Sequence, residues 1–265
     1  MQLSAAYMSR LQTRLDMIGN NMANVNTPGF KEQLRAFEES YDLQDRSLNN
    51  AMFGRPVGNL TGGEGPLYTG MRLNMNPGTL QVTGSPLDLA ITGEGFFQVY
   101  LPNGMLGYTR VGHFLVDQDG TIVTPRGLVL EPPMAVPEDA TDLIIGADGV
   151  VTVRMPGEVD ADGGIIEGEI VELGQILLAR FDNPNGLNQI GSGVFLATVQ
   201  SGDPIVGLPQ EEGRGSLVPG SLEQSNTDLA SNMVDMINVQ RAYQLKSRSI
   251  RTQDEMLATT VSMRG

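Results

Sequence analysis

The chain lacks cysteine and tryptophan altogether and contains a single histidine, His113, among its 265 residues. The absence of cysteine excludes a disulfide scaffold, a thiolate metal site and a cysteine nucleophile. One histidine excludes a multi-histidine metal site and leaves only one candidate base for a Ser-His-Asp triad. We therefore expect no metal site and no cofactor, and we interpret His113 as a half-buried residue of a strand.

Basic residues are also scarce, since 17 Lys and Arg stand against 31 Asp and Glu and give a formal net charge of −14. Nucleic-acid binders need a basic face, and anionic membrane surfaces repel an acidic protein. The N-terminal residues lack the apolar centre of a signal peptide, and no apolar run reaches the roughly 20 residues that span a bilayer. We expect no nucleic-acid partner, no direct membrane insertion and no cleaved leader.

Apolar residues recur at helical spacing near the N-terminus and predict an amphipathic helix over residues 3–25. The helix is expected to end at Asn26–Gly29. Pro28 disfavours the helical conformation in the residue before it, and Gly29 permits a positive φ. The apolar stripe consists of Leu3, Tyr7, Leu11, Leu15, Ile18, Met22 and Val25.

A longer helix is predicted over residues 226–263, after the N-cap side chains of Ser225–Asp228. Its residues follow alternating spacings of four and three, which is the pattern of a coiled-coil seam interrupted by polar residues. We expect the two terminal helices to pair with each other and with neighbouring copies, although either could pack on a globular core of its own chain. The seam comprises Leu229, Met233, Met236, Gln240, Tyr243, Ser247, Ile250, Asp254, Leu257 and Val261.

The region between the helices has short alternating apolar runs separated by Asn-Gly and Asp-Gly pairs, a pattern typical of antiparallel hairpins. The expected fold class is therefore α+β, with N- and C-terminal α-helices pairing as a coiled coil and a mainly antiparallel β middle region. We interpret residues 200–220 as an acidic loop. The predicted domains are an N-terminal helix at 1–35, an extended connector at 36–65, β-rich outer domains at 66–225 and a C-terminal helix at 226–265.

Two aspartate-rich turns resemble the start of a calcium-binding loop, but neither has the glutamate that such a loop needs at its twelfth position. That position holds Leu128 after the first turn and Val171 after the second, so we interpret both as hairpin turns. Paired carboxylates for glycoside hydrolysis remain possible by number alone, although sugar sites usually add aromatic platforms. We therefore expect that the protein is not an enzyme. The two turns are Asp117–Gly120 and Asp160–Gly163.

Sequence motifs at both ends of the chain resemble those of the flagellar rod and hook family. Residues 20–31 read NNMANVNTPGFK and are similar to its N-terminal signature, and residues 233–243 read MVDMINVQRAY and are similar to its C-terminal one. In the middle, residues 87–99 (LDLAITGEGFFQV) resemble a segment shared by hook and basal-body proteins. Residues 187–193 (LNQIGSG) resemble the corresponding segment of distal-rod members of the family.

The resemblance implies a structural subunit of the distal rod that self-assembles into a rigid helical drive shaft, with the terminal helices inside and the β domains outside. It implies export by the flagellar type III apparatus and contacts with proximal rod, hook and basal-body ring proteins. The location would be the basal body, outside the cytoplasm and periplasmic where the envelope has two membranes. We expect Phe30 to anchor the turn that leads outward. The expected subunit-assembly residues are Leu11, Leu15, Ile18, Asn20, Asn21, Met22, Asn24, Phe30, Met233, Met236, Gln240, Arg241, Tyr243, Ile250 and Leu257.

Two alternatives stay open at this point. Within the family, the chain could be a proximal rod or hook paralogue. Outside it, the chain could be a secreted β-rich binding module or hydrolase, which would require a pair of acids with nearby aromatic residues in the middle region.

Overall fold

The structure, a computed structural model, describes residues 2–35, 71–156, 169–191 and 193–262. The predicted connector at 36–65 and the turn at Asp160–Gly163 lie outside the described residues. The chain divides into two compact units. Unit 1 comprises Met1–Gly19, Gln33–Asn74 and Asp235–Gly265, and unit 2 comprises Asn20–Glu32 and Met75–Val234.

Two α-helices lie within the described residues, close to the predicted limits. Helix α1 spans Gln2–Ala23 and helix α2 spans Leu229–Ser262. The side chain of Asp228 caps α2, since its Oδ1 accepts a hydrogen bond of 3.0 Å from the backbone N–H of Ala230. This bond satisfies one of the amide groups that the first turn of a helix leaves without a partner. The predicted N-cap chemistry is therefore confirmed.

The rest of the described chain is mainly antiparallel sheet, so the predicted α+β class is confirmed. Strands β1 and β2 form a two-stranded sheet in unit 1, and the other sheets lie in unit 2. The strands are β1 Gln33–Arg35, β2 Met71–Leu73, β3 Leu80–Val82, β4 Leu89–Thr92, β5 Phe96–Tyr100, β6 Leu106–Thr109, β7 Leu115–Val116, β8 Ile122–Val123, β9 Val129–Glu131, β10 Asp142–Ile145, β11 Val150–Arg154, β12 Ile170–Gln175, β13 Leu178–Arg180, β14 Asn188–Gly191, β15 Val194–Leu196, β16 Ile205–Gly207, β17 Ser216–Pro219 and β18 Ser221–Glu223.

Unit 2 is organised around a nine-stranded sheet with the order β14-β15-β6-β5-β9-β8-β7, to which β13 and β16 attach beside β5. A three-stranded sheet β10-β11-β12 and the pairs β17-β4 and β18-β3 complete the unit. All of these strand pairs are antiparallel. The β18-β3 pair places Glu223, at the end of β18, against the N-terminal segment.

Three of the four predicted turns join neighbouring antiparallel strands. Gly104, Gly120 and Gly149 have φ values of 78°, 78° and 87°, which L-residues with a side chain rarely adopt. They close the β5–β6, β7–β8 and β10–β11 connections, as expected of hairpins. The fourth pair lies instead in a short 3₁₀ helix at Pro184–Gly186.

The core of unit 2 is built from apolar side chains of several sheets. Phe97 and Phe114 are fully buried, and their rings meet edge to face with centroids 5.2 Å apart. This geometry is favoured by the aromatic quadrupole. Burying each large side chain contributes about 1.5–3 kcal/mol. The cluster includes Leu89, Ile91, Phe97, Phe114, Ile122, Leu130, Met134, Ile145, Val151, Ile176, Leu178 and Leu217.

The prediction of a continuous loop at 200–220 is wrong. Strand β16 (Ile205–Gly207) pairs with β13, and β17 (Ser216–Pro219) pairs with β4. Both strands are short and sit among Gly and Pro residues, which hide a period-two pattern in the sequence. Pro219 is tolerated because β17 belongs to a two-stranded sheet and is therefore an edge strand.

Candidate assembly helices and their anchor

Helix α1 presents the predicted stripe as its buried side. Leu11 and Ile18 are buried, and Leu15 and Met22 are half-buried. Tyr7 is exposed, although it belongs to the same stripe. The periodicity therefore located the inward side of α1 correctly along most of its length.

Helix α2 buries a face whose first half is shifted by one residue from the predicted seam. Asn232 and Val239 are the buried positions, in place of Met233 and Gln240, which are exposed together with Arg241. Further along α2, the burial of some predicted seam residues can be compared with the prediction. Three predicted residues, Met236, Tyr243 and Ile250, are half-buried, and Leu257 lies further along the helix.

Within unit 1 the two helices run antiparallel, as two side-chain contacts show. The guanidinium of Arg14 lies 3.5 Å from the carboxylate of Asp235. The ammonium of Lys246 lies 5.8 Å from the ring centroid of Tyr7. Later residues of α1 thus meet earlier residues of α2. Both partners of the ion pair are about half exposed, so this contact orients the helices more than it stabilises them.

The outer side of α2 carries a row of exposed apolar side chains. Leu229, Met233, Val234 and Ile237 are between 39% and 58% exposed. Leu229, Met233 and Ile237 follow one another at intervals of four residues, and Val234 lies three residues before Ile237, so the four side chains form one contiguous patch. We call these four residues the outer patch. Leu245 and Met256 continue the exposed apolar surface further along the helix.

The predicted asparagine cluster forms local hydrogen bonds at the end of α1. The Asn24 side-chain amide donates to the backbone carbonyl of Asn20 at 2.9 Å and to its side-chain oxygen at 2.7 Å. Thr27 in turn donates to Oδ1 of Asn24 at 3.2 Å. Asn21 is buried, whereas Asn20 is exposed. These contacts account for the ending of the helix and leave Asn20 accessible on its outer side.

In unit 2, the segment after α1 is held by β18. The backbone N–H of Gly29 donates to the carbonyl of Glu223 at 2.7 Å. Gly29 has a φ of 66°, and a Cβ at this position would lie 2.7 Å from the backbone carbon of Arg110. Only glycine fits such a left-handed conformation at so close an approach. Phe30 is buried next to it, and its role as the anchor of the turn stays a prediction.

Three charged side chains meet in the interior of unit 2 beside this turn. Lys31, Arg110 and Glu223 are 1%, 5% and 2% exposed. The Lys31 ammonium donates to Oε1 of Glu223 at 2.6 Å, and Nε of Arg110 donates to Oε2 at 2.8 Å. We call these three residues the anchor cluster. With two cations and one anion, the cluster depends on Glu223 for the charge balance of both partners.

Backbone groups satisfy the remaining hydrogen-bonding capacity of the cluster. The Lys31 ammonium also donates to the carbonyl of Asn76 at 2.8 Å, and the N–H of Gly78 donates to Oε1 of Glu223 at 2.9 Å. Arg110 donates to backbone carbonyls around the β4–β5 turn. Buried ions need such full pairing because leaving water is costly. The carbonyls that accept from Arg110 belong to Ile91, Gly93 and Gly95.

The protonation behaviour of the cluster follows from burial and mutual attraction. Burial lowers the pKa of Lys31 below its ordinary value, and the attraction of Glu223 offsets this only in part. Burial alone would raise the pKa of Glu223, but Arg110 and Lys31 together hold it below its ordinary value. Glu223 is therefore ionised at neutral pH.

The same region fixes the start of α2. The backbone N–H of Glu32 donates to Oδ1 of Asn226 at 2.8 Å, and Asn226 donates through its side chain to the carbonyl of Asn76 at 2.9 Å. The side chain of Asn232 donates to the Glu32 carboxylate at 3.1 Å. The residues that follow α1 and those that begin α2 are thus bonded directly to each other inside unit 2.

No pattern in the sequence predicts the anchor cluster. Lys31 and Glu223 are 192 residues apart, and no local pattern pairs them. The one feature of the sequence that points to the cluster is Lys31, which directly follows the Gly29-Phe30 pair of the N-terminal signature.

His113 is half-buried beside β4, as predicted, and its Nδ1 lies 2.6 Å from Oδ1 of Asp88. Asp117–Gly120 forms a hairpin turn, as predicted, in which the Gly120 N–H donates to the Asp117 carbonyl. Within the described residues, no cluster of His, Asp and Glu is arranged to hold a metal ion. No helix in this described part of the chain is both long and apolar enough to cross a membrane.

Three family models match successive parts of the chain. They are described as flagella basal body rod protein (residues 3–31), flagellar hook protein FlgE/F/G D1 domain (residues 90–153) and flagellar basal body rod FlgEFG protein C-terminal (residues 218–263). The flagellar basal-body rod protein FlgG of Borreliella burgdorferi is 39% identical over 259 residues, which cover 96% of this chain and 94% of the relative. The chain belongs to the flagellar basal-body rod protein family. The predicted family resemblance is therefore confirmed.

Other relatives show how the rod family member compares with its paralogues. The FlgG proteins of Caulobacter vibrioides and Bacillus subtilis are 36% and 37% identical over 271 residues each, covering 100% and 97% of this chain and 98% and 96% of the relatives. The FlgF protein of Caulobacter vibrioides is 29% identical over 261 residues, covering 96% of this chain and 93% of the relative. The chain is thus more similar to these FlgG proteins than to this FlgF paralogue.

Proposed function

We propose that this protein is a structural subunit of the flagellar distal rod, which self-assembles through its terminal helices into a rigid shaft that transmits torque from motor to hook. The observation that carries the proposal is the outer patch of α2. Four apolar side chains on one helix remain exposed after the helix has buried its other face. Apolar surface of this kind is stabilised when a second copy covers it.

The finer arrangement within the assembly is an α1–α2 coiled coil in each subunit. Two contacts support it, the Arg14–Asp235 ion pair and the Lys246–Tyr7 contact. The spacing of buried and half-buried residues along α2 supports it too, because Met236, Val239 and Tyr243 are three and four residues apart. In this arrangement the inner faces pair within one chain, and the outer patch faces a neighbouring copy.

Subunit contacts are proposed for the sequence-derived residues that lie on accessible helix surfaces. Met233 belongs to the outer patch, and Gln240 and Arg241 are exposed next to it, so hydrogen bonds from these side chains can fix the register between copies. Asn20 is exposed on α1 and can do the same. Leu11, Ile18 and the half-buried residues support these contacts from the inner faces.

The partners and the location are those of a rod component. We propose contacts with proximal rod, hook and ring proteins, export through the flagellar type III apparatus, and a place in the basal body outside the cytoplasm. The greater similarity to FlgG than to the FlgF relative favours the distal rod over a proximal position. A structural role without catalysis accords with the family and with interior charges that pair among themselves.

The test is polymerisation of purified protein carrying one charge in the outer patch. Ile237→Glu places a carboxylate among the apolar side chains, so we expect it to abolish polymers while the far-ultraviolet circular dichroism spectrum of the monomer is unchanged. The matched control is Gln244→Glu. This residue is exposed on the same side of α2 two turns later, and its neighbours on the helix surface are polar. Polymerisation of the Ile237→Glu protein at the wild-type concentration would contradict the proposal.

A further inference from the structure

We propose that the anchor cluster is the mechanical joint of the subunit, which fixes the end of α1 and the start of α2 to the β-rich unit so that torque passes through without bending there. This inference rests on the proposed function as a rod subunit. It assigns a role to Lys31, Arg110 and Glu223 that lies in force transmission and not in contact between subunits.

The first argument is position. Lys31 directly follows the turn that ends α1, and Glu223 lies five residues before the cap of α2 at Asp228. One carboxylate therefore holds the exit of the first helix and, through its own strand, the approach to the second. Arg110 reaches the same carboxylate from the end of β6, inside the main sheet. A force applied to either helix end meets this point before it reaches the sheet.

The second argument is that the three residues come from the three matched family segments. Lys31 is the last residue of the N-terminal match, Arg110 lies in the hook-protein D1 match, and Glu223 lies in the C-terminal match. The three matched parts of the chain are thus joined to one another by the ion pairs of the anchor cluster. Fixed, directional bonds at such a point hold one geometry, whereas apolar contacts would allow sliding.

The third argument is the redundancy of short bonds around the joint. Gly29 donates to the Glu223 backbone, Glu32 donates to Asn226, and Asn232 donates to the Glu32 side chain. These bonds close a ring of contacts between the segment after α1 and the segment before α2. Bending at either segment would break these bonds and strain the buried charged bonds of the anchor cluster. A part that carries torque has to resist such bending.

The experiment compares Glu223→Gln with the matched control Glu212→Gln. Glu223→Gln keeps the shape of the side chain but removes the charge that both cations share. Glu212→Gln also removes a carboxylate that is bonded to a buried arginine of unit 2, Arg214. Each variant is measured by amide hydrogen exchange on the purified chain, by electron microscopy of basal bodies, and by rotation of tethered cells under increasing viscous load.

We expect amide exchange in Glu223→Gln to be at least about tenfold faster at Gly29 and Glu32, because local opening of the joint exposes these amides without unfolding the core. Rods should form and turn normally at low load, and rotation should fail at high load. The Glu212→Gln strain should match the wild type at every load. If the cluster only stabilised the fold, Glu223→Gln would lower the number of rods and reduce rotation equally at every load. A loss of rotation that appears only at high load therefore identifies the joint.

Wild-type rotation of the Glu223→Gln strain at every load, despite faster local exchange, would overturn the proposal. If Glu223→Gln protein does not accumulate, the same measurements on Lys31→Met decide the question, because that change leaves the Glu223–Arg110 pair intact. A loss of rotation in the Lys31→Met strain that does not vary with load would also overturn it. Absence of the wild-type chain from purified rods would instead contradict the proposed function.

Discussion

Removing the single anion of the anchor cluster should destabilise the protein more than removing one of its cations. Glu223→Gln leaves Lys31 and Arg110 buried with no counter-ion, and breaking a buried pair in this way costs about 3–5 kcal/mol. For a chain of this size, about 1 kcal/mol corresponds to roughly 2–4 °C in Tm. We therefore expect Tm to fall by roughly 6–20 °C.

Lys31→Met should be milder, for a reason visible in the structure. The change removes a buried charge together with one charge-assisted hydrogen bond, and the neutral Glu223–Arg110 pair remains with its bond to Gly78. A lost bond of this type costs about 1.5–3 kcal/mol, and the relief of burying one ammonium offsets part of it. We expect a net loss of about 2 kcal/mol or less.

The double variant tests whether the two effects share one cause. With both Lys31→Met and Glu223→Gln, only Arg110 stays charged, and it keeps its three carbonyl acceptors. The double variant should lose less stability than the sum of the single variants, by about 1–3 kcal/mol. The assay is urea unfolding followed by far-ultraviolet circular dichroism, since the chain has no tryptophan. Additive single losses, or a Lys31→Met loss as large as that of Glu223→Gln, would refute the reasoning.

In urea unfolding, Gly29→Ala should lose about 1–2 kcal/mol of stability from its positive φ and a further amount from the clash of the new Cβ with Arg110. Gly104→Ala has a φ of 78° with open space around it, so it should lose only the part due to φ. Equal losses would contradict the close approach at Gly29. Because the pKa of Glu223 lies lower in the folded protein than its ordinary 4.5, its stabilisation is present above about pH 4.5 and is lost as pH falls through the lower folded value. Glu223→Gln should therefore flatten the acid side of a stability–pH curve, and a curve as steep as the wild type would contradict this. Asp235→Asn removes an exposed ion pair and should change the unfolding free energy by less than about 1 kcal/mol, so a larger loss would show that the pair does more than orient α1.

Local patterns in the sequence identified what local physics decides. The stripe through Leu11 and Ile18 identified the buried side of α1, because a period near four residues allows few other arrangements. The cap of α2 at Asp228 and the glycine turns followed in the same way from backbone chemistry that involves only a few neighbouring residues.

The remainder depended on contacts between distant residues. The alternating spacing of four and three residues predicts a seam through Met233 and Gln240, but the structure buries Asn232, whose side chain bonds to Glu32 and to the Asp228 carbonyl. A polar residue can occupy a buried position when its partners come from elsewhere in the chain. The ion pair between Lys31 and Glu223 was not predicted for the same reason. Strands β16 and β17 were not predicted because pairing with β13 and β4 defines them, and their own residues show no strand pattern.

The most direct test of a distal rod subunit is electron microscopy of basal bodies from a strain that lacks this gene, with the wild-type gene restored as control. We expect short rod stubs without hooks in the deletion strain, and complete rods with hooks after the wild-type gene is restored. Complete rods and hooks in the deletion strain would contradict it.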